Sequence, residues 1–162
     1  MSKQLNKLKA KIFHIEDFTE ILKEWKSDGN KIVFTNGCFD LLHKGHRDLI
    51  KQSFSFGDIL IVGLNSDESV KRLKGEDRPI QNEVERKNAL LNTRYVNEVY
   101  IFDDDTPLEL INLIKPDILV KGGDYAPNEI VGYEEVTSSG GEIKIVPLTP
   151  GFSTTSTIEN MR

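Results

Sequence analysis

Apolar residues along this chain gather into five short, nearly unbroken blocks: KIVFT (31–35), DILIVGL (58–64), EVYIF (98–102), DILV (117–120) and EIKIVP (142–147). Unbroken apolar character over so few residues is the pattern of strands covered on both faces, as in a parallel sheet. The stretches between them read as helices. HKGHRDLIKQSF follows the first block. NEVERKNALLN has Asn82 followed three residues on by Glu85, a capping box, and TPLELINLI repeats the device with Thr106 and Glu109, with Pro107 at the first helical position. PNEIVGYEEVTSSGG ends in a glycine pair suited to a helix stop. This alternation predicts an α/β fold: a three-layer, Rossmann-like parallel sheet of about five strands with right-handed crossovers. Ahead of it, IEDFTEILKEW places Phe18, Ile21, Leu22 and Trp25 on one helical face, a packing element. With no internal repeat or linker, residues 1–162 read as a single domain, with 1–30 as a helical extension.

Composition narrows the function. A net charge of −5 argues against nonspecific nucleic-acid binding, which needs a broad basic face, but leaves room for a small anion held by a local cluster of cations. Cys38 is the single cysteine, so the sequence holds neither an internal disulfide nor a cysteine-based zinc site. The basic N-terminus has no apolar signal-peptide core, and ILIVGL is too short to span a bilayer. A cytoplasmic location, with no membrane partner, is expected.

The chemistry concentrates in TNGCFDLLHKGH, residues 35–46, just beyond the first strand, where ligands bind in such folds. Asn36-Gly37 suits a tight turn. A helix beginning near His43 would place His43 and His46, three residues apart, on one face of its first turn, beside unpaired N–H groups and the positive end of the helix dipole. Gly45 would let an anion approach the backbone, so the stretch reads as a phosphate cradle. Two other readings stay open at this point: Asp40, His43 and His46 as metal ligands, and Asp40 as no more than a turn cap. Neither G-x-x-x-x-G-K-[ST] nor G-x-G-x-x-G occurs. The basic residues Lys71, Arg72, Lys74 and Arg78, interrupted by Glu76 and Asp77, lie in the connection after the second strand. They read as phosphate contacts on a loop able to close over ligand, against the plainer reading of a solvated face.

GCFDLLHKGH resembles the HxGH signature of the nucleotidyltransferase superfamily. GLNSDESVKRLKGEDRP (63–79), LVKGGDY (119–125) and GFSTTSTI (151–158) fall in the order found in the D-glycero-β-D-manno-heptose 1-phosphate adenylyltransferases. The resemblance runs from about Lys31 to the C-terminus. It implies that His43 and His46 hold the triphosphate and stabilise charge on it, and that Cys38 and Phe39 line the nucleotide phosphate site. Ser153, Thr154 and Thr155 would bind phosphate, and Asp124 would lie at the nucleotide edge. By the same resemblance Lys71, Lys74 and Arg78 contact substrate phosphate. Lys121, together with the absence of an arginine shortly before Ser153, favours the heptose branch over glycerol-phosphate cytidylyltransferases, which stand with GTP-using enzymes as the alternative. RYVNEV (94–99) resembles a cytidylyltransferase stretch near a dimer interface, which implies a homodimer.

The implied partners are ATP and a sugar 1-phosphate, with Mg2+ held mainly by phosphate oxygens. The implied reaction is adenylyl transfer by in-line attack at the α-phosphorus, driven by positioning and charge neutralisation. Thirty residues ahead of the motifs are too few for a kinase domain, so the sugar is expected to arrive already phosphorylated. A nucleotide-binding module without catalysis is the reading from outside the enzyme class.

Overall fold

The computed structural model describes the backbone of residues 11–147 and side chains from Phe18 to Pro147. The chain divides into two compact units, Met1–Asn30 and Lys31–Arg162. The first contains helix α1 (Lys11–Ser27), which extends the predicted 15–25 at both ends.

The second unit is built on β1 (Ile32–Gly37), β2 (Ile59–Asn65), β3 (Glu98–Phe102), β4 (Ile118–Gly122) and β5 (Glu142–Val146), all paired in parallel in the order β3-β2-β1-β4-β5. All five predicted strands are present, each within two residues of its expected bounds. The helices are α2 (Lys44–Ser55), α3 (Asp67–Lys74), α4 (Glu83–Asn92), α5 (Leu108–Ile114) and α6 (Tyr133–Ser138), with a 3-10 turn at Pro127–Glu129.

The alternation of buried side chains shows why the strands read as unbroken apolar blocks. Val33, Leu60, Val62, Leu64, Val99, Ile118 and Val120 share one core cluster with Ile50 of α2 and Leu90 of α4. Their neighbours Ile32, Phe34, Ile61 and Leu119 are buried as well and, with side chains alternating along a strand, point to the opposite face. There Phe34 and Leu110 of α5 close over Gly63, and Ile111 meets Leu119 beside Gly132. At the N-terminal edge, Asp58 and Asp117, each the first residue of a DIL block, accept the N–H groups of Lys31 and Ile32 at 2.8 Å.

Three expectations need correction. The Thr106–Glu109 box does not form: Pro107 occupies the cap position, α5 begins at Leu108, and Thr106 Oγ1 reaches only the Leu108 N–H at 3.5 Å. The stretch 127–141 is not one helix, because Gly132 takes φ +94° and separates the 3-10 turn from α6. The basic stretch after β2 is not a loop from Lys71 onward: Lys71, Arg72 and Lys74 form the last turn of α3, capped at its start by Ser66.

The sheet order locates the site. β1, β2 and β3 progress in one direction, and β4 then returns to the other side of β1, so the C-terminal ends of β1 and β4 form the switch point where the connections diverge and a crevice opens.

Candidate active site

At that crevice lies a cleft of about 530 Å³, within the range of small-ligand sites. Its floor is Asn36 and Gly37 at the end of β1, with Cys38 and Phe39 just after it. Asn65 ends β2 on one flank, and Lys121 of β4 is on the other. His46 enters from α2, Lys74 and Arg78 from α3 and the segment after it, and Tyr125, Ile130 and Val131 from the β4–α6 connection. β1 and β4 are fastened here by Thr35 Oγ1, which donates to the Val120 carbonyl at 2.9 Å.

The tight turn expected at Asn36-Gly37 is displaced. Both residues remain in β1, and the left-handed conformations fall on Phe39 (φ +47°) and Leu41 (φ +54°). Gly37 serves space instead: a Cβ there would come within 3.1 Å of the Phe39 ring. That ring also meets His46 edge-on, with centroids 5.3 Å apart. Two such departures from ordinary backbone geometry, with one residue between them, are costly and persist where surroundings over-determine them.

Those surroundings are two buried charged residues. Asp40 accepts the N–H groups of Ile80 (2.8 Å) and Gln81 (3.0 Å) and the Nε–H of Arg78 (3.2 Å), while Gln81 Oε1 accepts the Leu41 N–H. The Asp40 carboxylate is thus engaged by the segment that follows α3, and among the described residues no group of three or more His, Cys, Asp or Glu is placed to hold a metal. The second residue, Arg86 of α4, is fully buried. Its Nη1 donates to the Cys38 and Asn65 carbonyls (2.9 and 2.7 Å), its Nε to the Gln81 carbonyl (3.0 Å), and its Nη2 to Asp67 Oδ1 (2.8 Å). Sequence reasoning passed over Arg86. The available signal was its place one residue after the Asn82–Glu85 box, on the turn facing the sheet edge.

The two motif histidines solve the first turn of α2 jointly. His43 is the N-cap, and its Nδ1 accepts the His46 N–H at 3.4 Å. His46 Nδ1 accepts the His43 N–H at 3.3 Å, and the rings stack with centroids 3.8 Å apart. An Nδ1 that accepts is unprotonated, so in each neutral ring the proton sits on Nε2. Burial first, then the neighbouring His43 and Lys74, push His46 down to about 4 against the opposing pull of Asp40; burial also lowers His43. His46 is thus a neutral Nε2–H donor at the cleft near pH 7.

Lys121 is lowered by burial, with Lys74 adding to the effect and Cys38 opposing it. Burial raises the Cys38 thiol, against the pull of Lys74, Arg86 and Arg78, so at neutral pH it is uncharged. Lys74, Arg78, Lys121 and the His46 donor converge on one small volume, an arrangement suited to clustered negative charge.

Of the residues singled out in the sequence, the cleft brings together Cys38, Phe39, His46, Lys74, Arg78 and Lys121. His43 contributes the cap beside it, and Gly45 lies within the first turn of α2. Lys71 does not line the cleft; it pairs with Glu68 at 3.7 Å. Asp124 is exposed and also outside the lining. Its neighbour Gly123, at φ +136°, leaves room for the Tyr125 ring. Arg72 is spent on Asp105 (2.9 Å) and the Asp103 carbonyl. Ser153, Thr154 and Thr155 lie outside the described residues.

Comparison with known proteins agrees with the fold. The pattern of the family described as cytidylyltransferase-like matches residues 34–160. The bifunctional protein HldE of Koribacter versatilis is 53% identical over 150 residues, 93% of this chain and 31% of that protein. HldE of Geotalea uraniireducens is 50% identical over 153 residues, 94% of this chain and again 31% of the other. The chain thus spans about a third of the length of these curated relatives. Among solved structures, a lipopolysaccharide core biosynthesis protein from Thermoplasma volcanium superposes with a TM-score of 0.60 at 27% identity, covering 74% of this chain and 97% of that one. A pantoate-beta-alanine ligase from Francisella tularensis gives a TM-score of 0.63 at 17% identity, covering 91% of this chain and 71% of the other, a likeness of fold.

Proposed function

From its membership of the cytidylyltransferase-like family, to which this chain belongs, we propose that it transfers AMP from ATP to D-glycero-β-D-manno-heptose 1-phosphate, giving ADP-heptose and pyrophosphate for lipopolysaccharide core synthesis. The observation that carries the reading is the convergence of His46, Lys74, Arg78 and Lys121 on one cleft at the sheet switch point. The HldE relatives and the lipopolysaccharide core biosynthesis neighbour support the heptose assignment.

In this reading an oxygen of the sugar phosphate attacks the α-phosphorus, the α–β phosphoanhydride bond breaks, and pyrophosphate leaves. His46 donates its Nε2–H to a phosphate oxygen on which charge builds, and the two-histidine cap fixes the ring for that role. His43 supports it from the cap position, and the N–H groups around Gly45 add the helix dipole. Lys121 and the Cys38-Phe39 backbone face the nucleotide phosphates, with Asp124 at the nucleotide edge and Ser153, Thr154 and Thr155 completing the phosphate site. Lys74 and Arg78 hold the acceptor phosphate; Lys71 serves it only by leaving Glu68. No protein nucleophile is required, because bringing two anions together in line is the main task.

Magnesium fits as an ion carried by the triphosphate. Among the described residues no group of three or more His, Cys, Asp or Glu converges as a metal site. Asp40 is engaged by Ile80, Gln81 and Arg78. Phosphate oxygens and water would supply the coordination, and the ion would neutralise phosphate charge. Among the described residues no helix is long and apolar enough to cross a membrane; a cytoplasmic homodimer is part of the proposal.

The test is pyrophosphate release with ATP, CTP or GTP against a panel of sugar 1-phosphates and glycerol 3-phosphate. ATP with heptose 1-phosphate should give equal amounts of ADP-heptose and pyrophosphate. A preference for CTP with glycerol 3-phosphate, or nucleotide binding without pyrophosphate release, overturns the reading.

A further inference from the structure

Among the described cations of the cleft, Arg78 is the one whose placement depends on a buried partner. Lys121 sits on a central strand and Lys74 ends a helix, but Arg78 belongs to the irregular connection between α3 and α4. Its side chain is 12% exposed, and the Asp40 side chain it pairs with is fully buried. A guanidinium on an irregular segment would sample many rotamers in solution. Here Asp40 removes that freedom at two levels: it takes the Nε–H of Arg78 itself, and it takes the N–H groups of Ile80 and Gln81 that immediately follow. With Nε committed, the terminal amino groups of Arg78 are the donors the cleft can use. The same carboxylate stands between Phe39 and Leu41, the two left-handed residues of the motif loop, so the loop and the Arg78 segment hold one shape together.

We propose that Asp40 is a positioning residue: it presents Arg78 to the cleft as a directional contact for the phosphate groups of the ligand. This deepens the nucleotidyltransferase reading and rests on it for the identity of the anion. Asp40 itself touches no substrate. Its effect passes through Arg78, and the loss of either should cost the same thing once, not twice.

The experiment uses inorganic pyrophosphate as the probe, with affinity measured by calorimetry on the full chain, so that it does not depend on turnover. The proteins are the parent, Asp40→Asn, Arg78→Gln, Arg78→Lys and the double variant Asp40→Asn with Arg78→Gln. An asparagine at position 40 turns an amide N–H toward one of the groups that the carboxylate accepts, so it releases the segment at little change in size. Both single variants should weaken pyrophosphate binding on the order of tenfold, the scale of a displaced charge-assisted contact, and the double variant should be no weaker than the poorer single. Amide exchange at Ile80 and Gln81 should quicken in Asp40→Asn and stay slow in Arg78→Gln. Should Asp40→Asn fail to fold, Arg78→Lys decides. It keeps the charge but lacks the Nε–H that Asp40 holds, so it should bind as weakly as Arg78→Gln. Parent-like affinity in Arg78→Lys, multiplied losses in the double variant, or no pyrophosphate binding by the parent overturns the proposal. Parent protein that binds pyrophosphate but releases none from ATP and heptose 1-phosphate sinks the functional reading and leaves the positioning role standing.

Discussion

Helices α2 and α4 begin with the same reciprocal arrangement, built from different residues. At α4, Asn82 Oδ1 accepts the Glu85 N–H at 2.8 Å and Glu85 Oε1 accepts the Asn82 N–H at 3.1 Å, both exposed. At α2, His43 and His46 make the equivalent pair at 3.4 and 3.3 Å, partly buried, with stacked rings. Asparagine and glutamate are favoured for this task and histidine is not. The α4 box therefore serves the helix alone. The α2 box accepts longer, weaker bonds and in return fixes two imidazoles with their protons on Nε2. A site residue that also caps its helix has its orientation set by the backbone, without a further side chain to hold it.

The two helix starts are joined by Arg86, which leaves α4 to grip the Cys38 carbonyl ahead of α2, and the largest effect should come from cutting that link. Arg86→Met should cost about 3 kcal/mol, because it orphans buried carbonyls and the Asp67 carboxylate together; urea unfolding would show it. A loss below about 1 kcal/mol would mean that the two helix starts are mechanically independent.

Replacing His46 separates capping from chemistry. His46→Ala should leave the fold nearly intact but lower turnover on the order of 100-fold, the scale of one lost transition-state donor. His46→Gln retains the box pattern and should lose turnover comparably. Near-normal turnover in either variant would reduce the α2 box to a structural cap like that of α4.

A smaller effect separates the two boxes by pH. His46 titrates near 4 in the folded protein, below its ordinary 6.5. The unfolded chain therefore binds the proton first as pH falls. The cost is absent above about pH 6.5 and grows as pH drops toward 4. At pH 5 the parent should have lost about 1–2 kcal/mol more, relative to pH 7.5, than His46→Gln. Equal losses in paired denaturant titrations would show that the ring is not held neutral by the fold.

The smallest change tests the ordinary box. Asn82→Ala should lower stability by about 1 kcal/mol and leave turnover per folded molecule within about twofold of the parent. A large fall in turnover would show that the α4 start also shapes the site.

Strands and cap were legible in the sequence because their causes are local. Apolar runs over 58–64 and 117–120 need burial on both faces whatever surrounds them, and Asn82 with Glu85 carries its own backbone partners. Even α3, missed as a helix, was written locally: Ser66 followed by Asp67 and Glu68, then Lys71, Arg72 and Lys74, caps the helix and opposes its dipole at both ends. The pairing of β4 with β1, which makes the switch point, has no local signal, because either sheet edge satisfies the same apolar strand. Nor could the sequence decide what Lys71, Arg72, Lys74 and Arg78 do. They are alike in charge and close in the chain, yet Glu68 takes the first and Asp105 the second, while the cleft takes the last two. Asp40 holds Arg78, 38 positions on, and Arg86 holds Cys38, 48 positions back. The sequence by itself determined which residues form strands, helices and caps, since hydrogen bonding and burial act over a few positions. Only the tertiary structure decided which charges meet, because a buried ion must find its partner wherever the fold brings one within about 3 Å.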